Sequence, residues 1–318
     1  MSQTTSQKGS GRRLAGVLAL SFLPLGAALA AAVTADPPHQ CEPCAEWNGP
    51  REPFHVYGNT WFVGTAGLGS ILITSPKGHI LIDGGLPQSA PLIAANIQRA
   101  GFRVEDIKLI LNSHTHYDHA GGIAALVRAS GAQVAASPPS KKALERGGPM
   151  EDDPQFGFGP AANNYPPVAN VRAIADGETL RVGPLAITAH FTPGHTPGGT
   201  SWTWRACEKQ HCLDLVYADS LNSVSSDDYR FSGDEIHGSR VDPFLHSMDV
   251  IAKLPCDLLL APHPVLIDLD AKLARWKEDP KVNPLIDPAA CKAYAAAARE
   301  RLAKRIAEES AALKPNSK

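Results

Sequence analysis

Residues 108–122 read Lys108-Leu109-Ile110-Leu111-Asn112-Ser113-His114-Thr115-His116-Tyr117-Asp118-His119-Ala120-Gly121-Gly122. The apolar run 107–111 has the length and content of a fully buried strand, and a helical pattern follows over about 119–130. A strand over 133–136 completes a β-α-β unit. Ligand sites in α/β folds gather just beyond the carboxyl ends of strands, which is where this H-x-H-x-D-H cluster falls. His114 and His116, two apart in extended chain, project to one side and can reach one metal ion. Asp118 and His119 stand where the chain turns and can serve a neighbouring ion, while Gly121 and Gly122 keep bulk off the cluster.

Two more histidines occupy the same kind of position. His195 lies in Thr192-Pro193-Gly194-His195-Thr196-Pro197-Gly198-Gly199-Thr200, just past a strand over 185–191. His263 lies in Ala261-Pro262-His263-Pro264, just past a strand over 257–260. A lone loop histidine is more often a surface residue than a ligand. Here three sets converge on strand ends. His114, His116, His195, Asp118, His119 and His263 together suit two zinc ions with coordination left open for water. Imidazoles with a single carboxylate favour zinc over magnesium or calcium, which want more oxygen. His39, His55, His79, His190, His211, His237 and His246 have no such context.

Around this centre, β-branched runs at 54–57, 60–63, 70–74 and 79–83 form a meander with turn residues between them. A helical stripe over 90–100 carries Leu92, Ile93 and Ile97. Residues 147–170, rich in Gly, Pro and Asn, make a long irregular loop of the kind that usually serves function. Strands follow at 179–182, 185–191, 201–205 and 213–217, then a helix at 244–253. The last helix is expected to be capped by Asp287 with Pro288 at its first position, burying Cys291, Tyr294, Ala298, Leu302 and Ile306. No repeat and no linker divides the chain, so 33–318 reads as one α/β domain.

Composition agrees. The 318 residues are 43% hydrophobic and 19% charged, enough for a core and too little charge for disorder. A net charge of -2 offers nothing to hold a phosphate backbone, so nucleic acid is a poor partner. The N-terminus has Lys8, Arg12 and Arg13, then an uncharged stretch over 14–32 ending in Ala28-Leu29-Ala30-Ala31-Ala32. A basic start, apolar middle and small-residue end describe a cleaved secretory signal over 1–32. The rival is a membrane anchor, weakened by Gly16, Pro24, Gly26 and the Ala-rich tail. Periplasmic location without a stable membrane anchor is therefore expected. Arg12-Arg13 fits twin-arginine export poorly, and Cys41 lacks the small-residue context of a lipoprotein cysteine.

Six cysteines in an exported chain read as disulfides, though sequence leaves many connectivities. Cys207 and Cys212 bracket a short polar tip and most simply pair with each other, and Cys256 and Cys291 could tie a strand start to the C-terminal helix. Cys41-Glu42-Pro43-Cys44 has redox spacing but no thioredoxin-like unit around it.

H-x-H-x-D-H with a later P-G-H-T-P-G and a final His resembles the metallo-β-lactamase superfamily over nearly the whole mature chain. Tyr57-Gly58-Asn59-Thr60-Trp61, the 114–121 cluster, the 193–204 stretch PGHTPGGTSWTW and Tyr217-Ala218-Asp219-Ser220-Leu221 are similar to subclass B3, in its AIM-like group. The resemblance implies an αββα sandwich of two mixed sheets flanked by helices, with metals at one edge. It assigns His114, His116 and His195 to a first zinc, and Asp118, His119 and His263 to a second. Asp118 would also orient a metal-bound hydroxide that opens a β-lactam amide, and Ser220 would stand beside the second ion. Asn222 takes a place where a hydroxyl often holds the substrate carboxylate, and Gln155 matches a residue lining the site. Asp83, in Asp-Gly-Gly, either supports a ligand imidazole or is a plain turn residue. The AIM-like pattern pairs an early Cys with one near position 66, which here is Ala66. That leaves a local Cys41–Cys44 bridge open.

The expected function is zinc-dependent β-lactam hydrolysis by a monomer, a small-molecule enzyme conferring antibiotic resistance. A lactonase or glyoxalase-type thioester hydrolase on the same scaffold is the alternative. Such relatives place a bridging Asp near Tyr217-Ala218-Asp219, and sequence does not fix which way Asp219 turns. A zinc-stabilised binding protein without catalysis is the remaining class, disfavoured by an open ligand set.

Overall fold

Apolar runs become strands on both sides of a sandwich. The computed structural model describes residues 1–9, 11 and 33–313. Among them, α1 (Cys44–Trp47) precedes a sheet whose strands lie in sequence order: β1 (Phe54–Tyr57), β2 (Thr60–Phe62), β3 (Ile71–Ile73), β4 (His79–Ile82), β5 (Ile107–Leu111), β6 (Gln133–Ala136) and β7 (Arg172–Ala173). β1 to β4 pair antiparallel, and β4 to β7 run parallel. Parallel neighbours need crossovers. These are α2 (Ala90–Arg99), then α3 (Tyr117–Ala120) with α4 (Ile123–Ser130), then α5 (Pro138–Arg146) with α6 (Pro160–Asn163).

The second sheet holds β8 (Thr179–Val182), β9 (Leu185–Phe191), β10 (Thr200–Glu208), β11 (His211–Tyr217) and β12 (Leu258–Leu260), antiparallel except for the β11–β12 pair. α7 (Val241–Lys253) links β11 to β12, and α8 (Leu269–Glu278) and α9 (Ala290–Ala312) close the chain. Two mixed sheets flanked by helices match the expected αββα architecture. Val33–Lys318 form one compact unit. The apolar stretch 14–32, read as an export signal, lies outside the described residues. Among those described, no helix is long and apolar enough to cross a membrane.

The pleat explains why the strands of the first sheet are apolar throughout. Ile71, Ile73, Ile80, Ile82, Leu109 and Leu111 share one core with Ile187, Ala189, Trp202, Trp204, Leu215 and Tyr217 of the second sheet. The alternate residues Leu72, Leu81 and Ile110 share another with Ile93, Ile97, Ile123 and Leu126 of α2 and α4. Each such side chain contributes about 1.5–3 kcal/mol by burial. With both faces apolar, hydrophobic alternation cannot fix register. Polar groups at the strand ends do. Asp83 N–H donates to the Leu111 carbonyl at 3.0 Å, Trp202 Nε1 to the Asn112 carbonyl at 3.2 Å, and Thr200 N–H to the Ser113 carbonyl at 2.8 Å. The ends of β4, β5, β9, β11 and β12 therefore meet along one edge.

Several boundaries differ from the sequence reading. The helix expected over 119–130 is two pieces, broken at Gly121-Gly122. A Cβ on Gly122 would fall 2.2 Å from the Gly84 carbonyl oxygen, so these glycines admit the β4 turn rather than clearing space over the cluster. α5 starts with Pro138-Pro139, residues tolerated in a first turn. The last helix begins at Ala290, and Asp287 instead caps the preceding turn through Oδ1, accepting from Ala289 N–H at 2.9 Å. All six cysteines are paired, as Cys41–Cys44, Cys207–Cys212 and Cys256–Cys291. The first of these resolves the pairing that sequence left open.

Candidate metal centre

His114, His116, His119, His195 and Asp118 are all buried at this edge, and His263 is partly so. The rings of His114, His116 and His195 form a near-equilateral triangle, with centroids 4.7 to 4.9 Å apart and planes 82 to 85° to one another. One nitrogen from each lies within 4.8 Å of the others. Each ring is aimed from behind. His114 Nδ1–H donates to Asp219 Oδ1 at 2.8 Å, His116 Nε2–H to Asp153 Oδ1 at 3.1 Å, and His195 Nδ1–H to the Asn222 carbonyl at 2.8 Å. These bonds fix the tautomers and turn the free nitrogens inward, the arrangement that orients metal-ligating histidines. Nε2 of His114 is buried without any protein partner.

Beside this triangle, Asp118 Oδ2 lies 3.1 Å from His119 Nε2 and 3.3 Å from His263 Nε2, and the two nitrogens are 3.1 Å apart. Ligand atoms at about 2.0–2.1 Å from a tetrahedral zinc stand about 3.3–3.4 Å from one another, close to these separations. Asp118 and His119 can also group with His114, so the two sets adjoin.

Electrostatics suit a cation. Burial, with His119, His195 and His116 crowding it, holds His114 well below its ordinary value. Burial and His116 hold His195 down to about 3. Both rings are thus neutral at neutral pH, the ligating form, with no proton to displace. Burial alone would raise Asp118, but His119 and His263 hold it well below the usual carboxylate range. Burial pushes Asp219 well up. A cation held by His114 Nε2 would offset that cost through the imidazole. Two neutral imidazoles with inward nitrogens, an unpartnered buried Nε2 on His114 and an ionised Asp118 beside them make a donor set that fits a metal.

Asp83 is more than a turn residue. It is fully buried with φ of 61°, a left-handed backbone that costs about 1–2 kcal/mol for an L-residue. Four donors offset that strain. Ser113 N–H and Asn112 Nδ2 reach Oδ1 at 2.7 and 3.2 Å, and Ser113 Oγ and Tyr217 OH reach Oδ2 at 2.7 and 2.8 Å. Asp83 Oδ2 is 4.0 Å from His119 Nδ1, so it faces that imidazole without bonding it. Its main role is to lace β4, β5 and β11 together beneath the cluster.

Asp153 and Asp219 are the functional residues that sequence reasoning did not assign. Asp219 directly follows β11 and so shares the strand-end signal of the ligands. Its carboxylate turns behind His114, and Gly199 makes room for it, since a Cβ there would fall 2.3 Å from Oδ2. Asp153 sits in the irregular 147–170 loop, where no periodicity marks it. Ser220 is fully buried and its Oγ has no protein partner. Asn222 serves His195 through its backbone carbonyl, and Gln155 N–H donates to Asp153 Oδ1 at 2.8 Å. The side chains of Asn222 and Gln155 are only partly buried.

The chain is similar to known proteins in sequence and in fold. Residues 70–263 match the family model described as metallo-beta-lactamase superfamily. The solved structure of Rm3 metallo-beta-lactamase is 49% identical, with a TM-score of 0.82, covering 85% of this chain and 99% of that one. MEM-A1, described as a subclass B3 metallo-beta-lactamase isolated from a soil metagenome library, is also 49% identical, with a TM-score of 0.80, covering 83% of this chain and 99% of that one. A hydroxyacylglutathione hydrolase of Anaeromyxobacter dehalogenans (strain 2CP-C) is 31% identical over 154 residues, covering 48% of this chain and 46% of that protein. The chain spans about half the length of the curated relatives it matches. The similarity spans 99% of both solved structures, and the chain belongs to the metallo-beta-lactamase superfamily, among its subclass B3 members.

Proposed function

We infer that this enzyme hydrolyses the amide bond of β-lactams with two zinc ions. His114, His116 and His195 would hold one ion, and Asp118, His119 and His263 the other. Zinc bound there supplies a Lewis acid for the carbonyl and lowers the pKa of a water towards ~7. Asp118 lends Oδ2 to its ligand set, which leaves Oδ1 to accept a proton from the water that adds to the carbonyl. Asp219, Asp153 and the Asn222 carbonyl keep three imidazoles in one tautomer throughout. Gln155 and Asn222 stand on loops joined by Ser226 N–H donating to the Pro154 carbonyl at 2.9 Å, which supports a shared role in holding the substrate.

The observation that carries this reading over a thioester hydrolase or lactonase is the direction of Asp219. Its Oδ1 bonds Nδ1 of His114, away from the unpartnered Nε2 that would meet the metal. Among the described residues the clustered ligand atoms do not include Asp219, which supports a role behind the imidazole rather than as a bridging ligand. Turnover of a penicillin, a lactone and a glutathione thioester, measured side by side, tests the choice. The penicillin should be opened fastest by a wide margin, and preference for either other substrate would overturn it.

Ser220 is not a nucleophile in this scheme. Its buried hydroxyl has no base within hydrogen-bond reach, and no Ser-x-x-Lys motif appears in the mature chain. Ser220→Ala should keep turnover largely intact, changing KM by the worth of one hydrogen bond, about 0.5–1.5 kcal/mol. Clavulanate should not inhibit the wild type. Intact-mass spectrometry during turnover checks this, and an acyl adduct on Ser220 would contradict it.

We further propose that residues 1–32 direct export and that the remainder acts as a periplasmic monomer. Three disulfides support an oxidising compartment.

A further inference from the structure

We propose that Trp47 is a positioning residue for His263, and that the Cys41–Cys44 disulfide holds Trp47 in place, so that affinity for the second ion depends on this short N-terminal staple. The proposal rests on the two-ion reading above.

Among the described residues, the outward nitrogen of His119 and of His263, Nδ1 in both, forms no hydrogen bond, and of the two only His263 is partly exposed. His114, His116 and His195 each have the outward nitrogen bonded to a carboxylate or carbonyl. His119 is wholly buried and faces Asp83. The His263 side chain is 16% exposed, and among the described residues no hydrogen bond to its Nδ1 is formed. It follows Pro262 in the loop that leaves β12. What lies against its ring is Trp47, with centroids 5.2 Å apart and planes tilted by 53°. An aromatic face can set a ring's orientation where no hydrogen bond does.

Trp47 is itself clamped. Its carbonyl accepts from Thr65 Oγ1 at 2.6 Å and from Gly67 N–H at 3.1 Å. Gly67 lies flush with the indole, since a Cβ there would fall 2.5 Å from Trp47 Cδ1. Two residues on, Gly69 N–H donates to the Pro262 carbonyl at 2.6 Å. The 65–69 segment thus grips both Trp47 and the backbone just before His263, and fixes the distance between them.

The disulfide secures the other end. Trp47 closes α1, which has 4 residues, far too few to persist as an isolated helix. Cys44, its first residue, is bonded to Cys41, and Cys44 N–H donates to the Cys41 carbonyl at 3.2 Å. Cys44 is buried with Leu68 and Leu86, and Cys41, Trp47 and Tyr117 pack on that cluster. A bridge across so short a loop removes little entropy from the unfolded chain. Its effect is local, holding the turn that aims the indole. Ala66 N–H donates to the Gly49 carbonyl at 2.8 Å, which ties the segment after α1 to the same 65–69 turn.

The test is metal binding rather than turnover. Metal-stripped wild type, Trp47→Phe, Trp47→Ala and the Cys41→Ser/Cys44→Ser double variant are titrated with zinc against a chromophoric chelator. Cobalt(II) spectra report the coordination of each equivalent, and circular dichroism confirms folding. Trp47→Ala should weaken the second equivalent about tenfold or more, the usual loss when an outer partner of a ligand is removed, and leave the first unchanged. Trp47→Phe keeps an aromatic face and should retain most of the affinity. The double serine variant should weaken the second equivalent too, and adding Trp47→Ala to it should cost little more, because both act through one contact. Wild-type affinity for both equivalents in Trp47→Ala, or equal weakening of both, would overturn the positioning role. An unchanged second equivalent in the double serine variant would overturn the role of the disulfide. A wild type that binds fewer than two equivalents would remove the two-ion reading itself, a failure visible before any variant is compared.

Discussion

His116→Ala should lower kcat by several orders of magnitude and leave a folded chain. His116 supplies one of three imidazoles in a triangle with no spare ligand, and the methyl group of alanine cannot replace a nitrogen donor. The change also strips Asp153 Oδ1 of its 3.1 Å partner. That oxygen keeps Gln155 N–H at 2.8 Å, so the cost is one hydrogen bond to a charged group, about 1.5–3 kcal/mol, a tolerable loss for a domain of this size. Catalysis and stability should therefore separate. Elemental analysis should find less than the wild-type metal content, and the melting temperature should move by a few degrees only. Wild-type kcat in the variant at limiting zinc would show that the cluster is not the active site.

Asp219→Ala should cost about 10–100-fold in metal affinity without touching a ligand. Asp219 is fully buried and fixes His114 through one 2.8 Å hydrogen bond, so its loss frees the imidazole to rotate and to change tautomer. Activity should fall at limiting zinc and recover in part as zinc is raised, which the His116 variant should not do. Asp219→Asn keeps an oxygen acceptor and should fall between. Stability supplies a second sign. Because burial pushes the Asp219 carboxyl up, removing it should relieve the metal-free protein and destabilise only the metal-loaded one. Calorimetry of both forms checks this. Equal loss of stability in the two forms would mean that Asp219 is structural rather than a support for the metal.

The site was legible wherever chemistry and periodicity coincide in one stretch of chain. His114, His116, Asp118 and His119 follow an apolar strand directly, and His195 and His263 repeat that placement. The irregular 147–170 loop hid Asp153, because no repeat pattern distinguishes an acid that reaches a ligand from one that is solvated. Asp219 was visible as an acid at a strand end, but its direction depends on His114, 105 residues away. Asp83 was ambiguous for the same reason, since its deciding partners Ser113 and Tyr217 lie 30 and 134 residues along the chain. In the fold, the fully buried strands stood out, whereas α8, mostly exposed and with only Leu269 buried, gave no clear stripe.

The central claim is that metal held by this cluster opens the β-lactam ring. The most direct measurement follows ring opening by absorbance while metal-stripped protein is titrated with zinc, with bound metal counted at each step. The account predicts no turnover in the stripped protein and full activity as zinc approaches two per chain. Undiminished ring opening after exhaustive metal removal would contradict it.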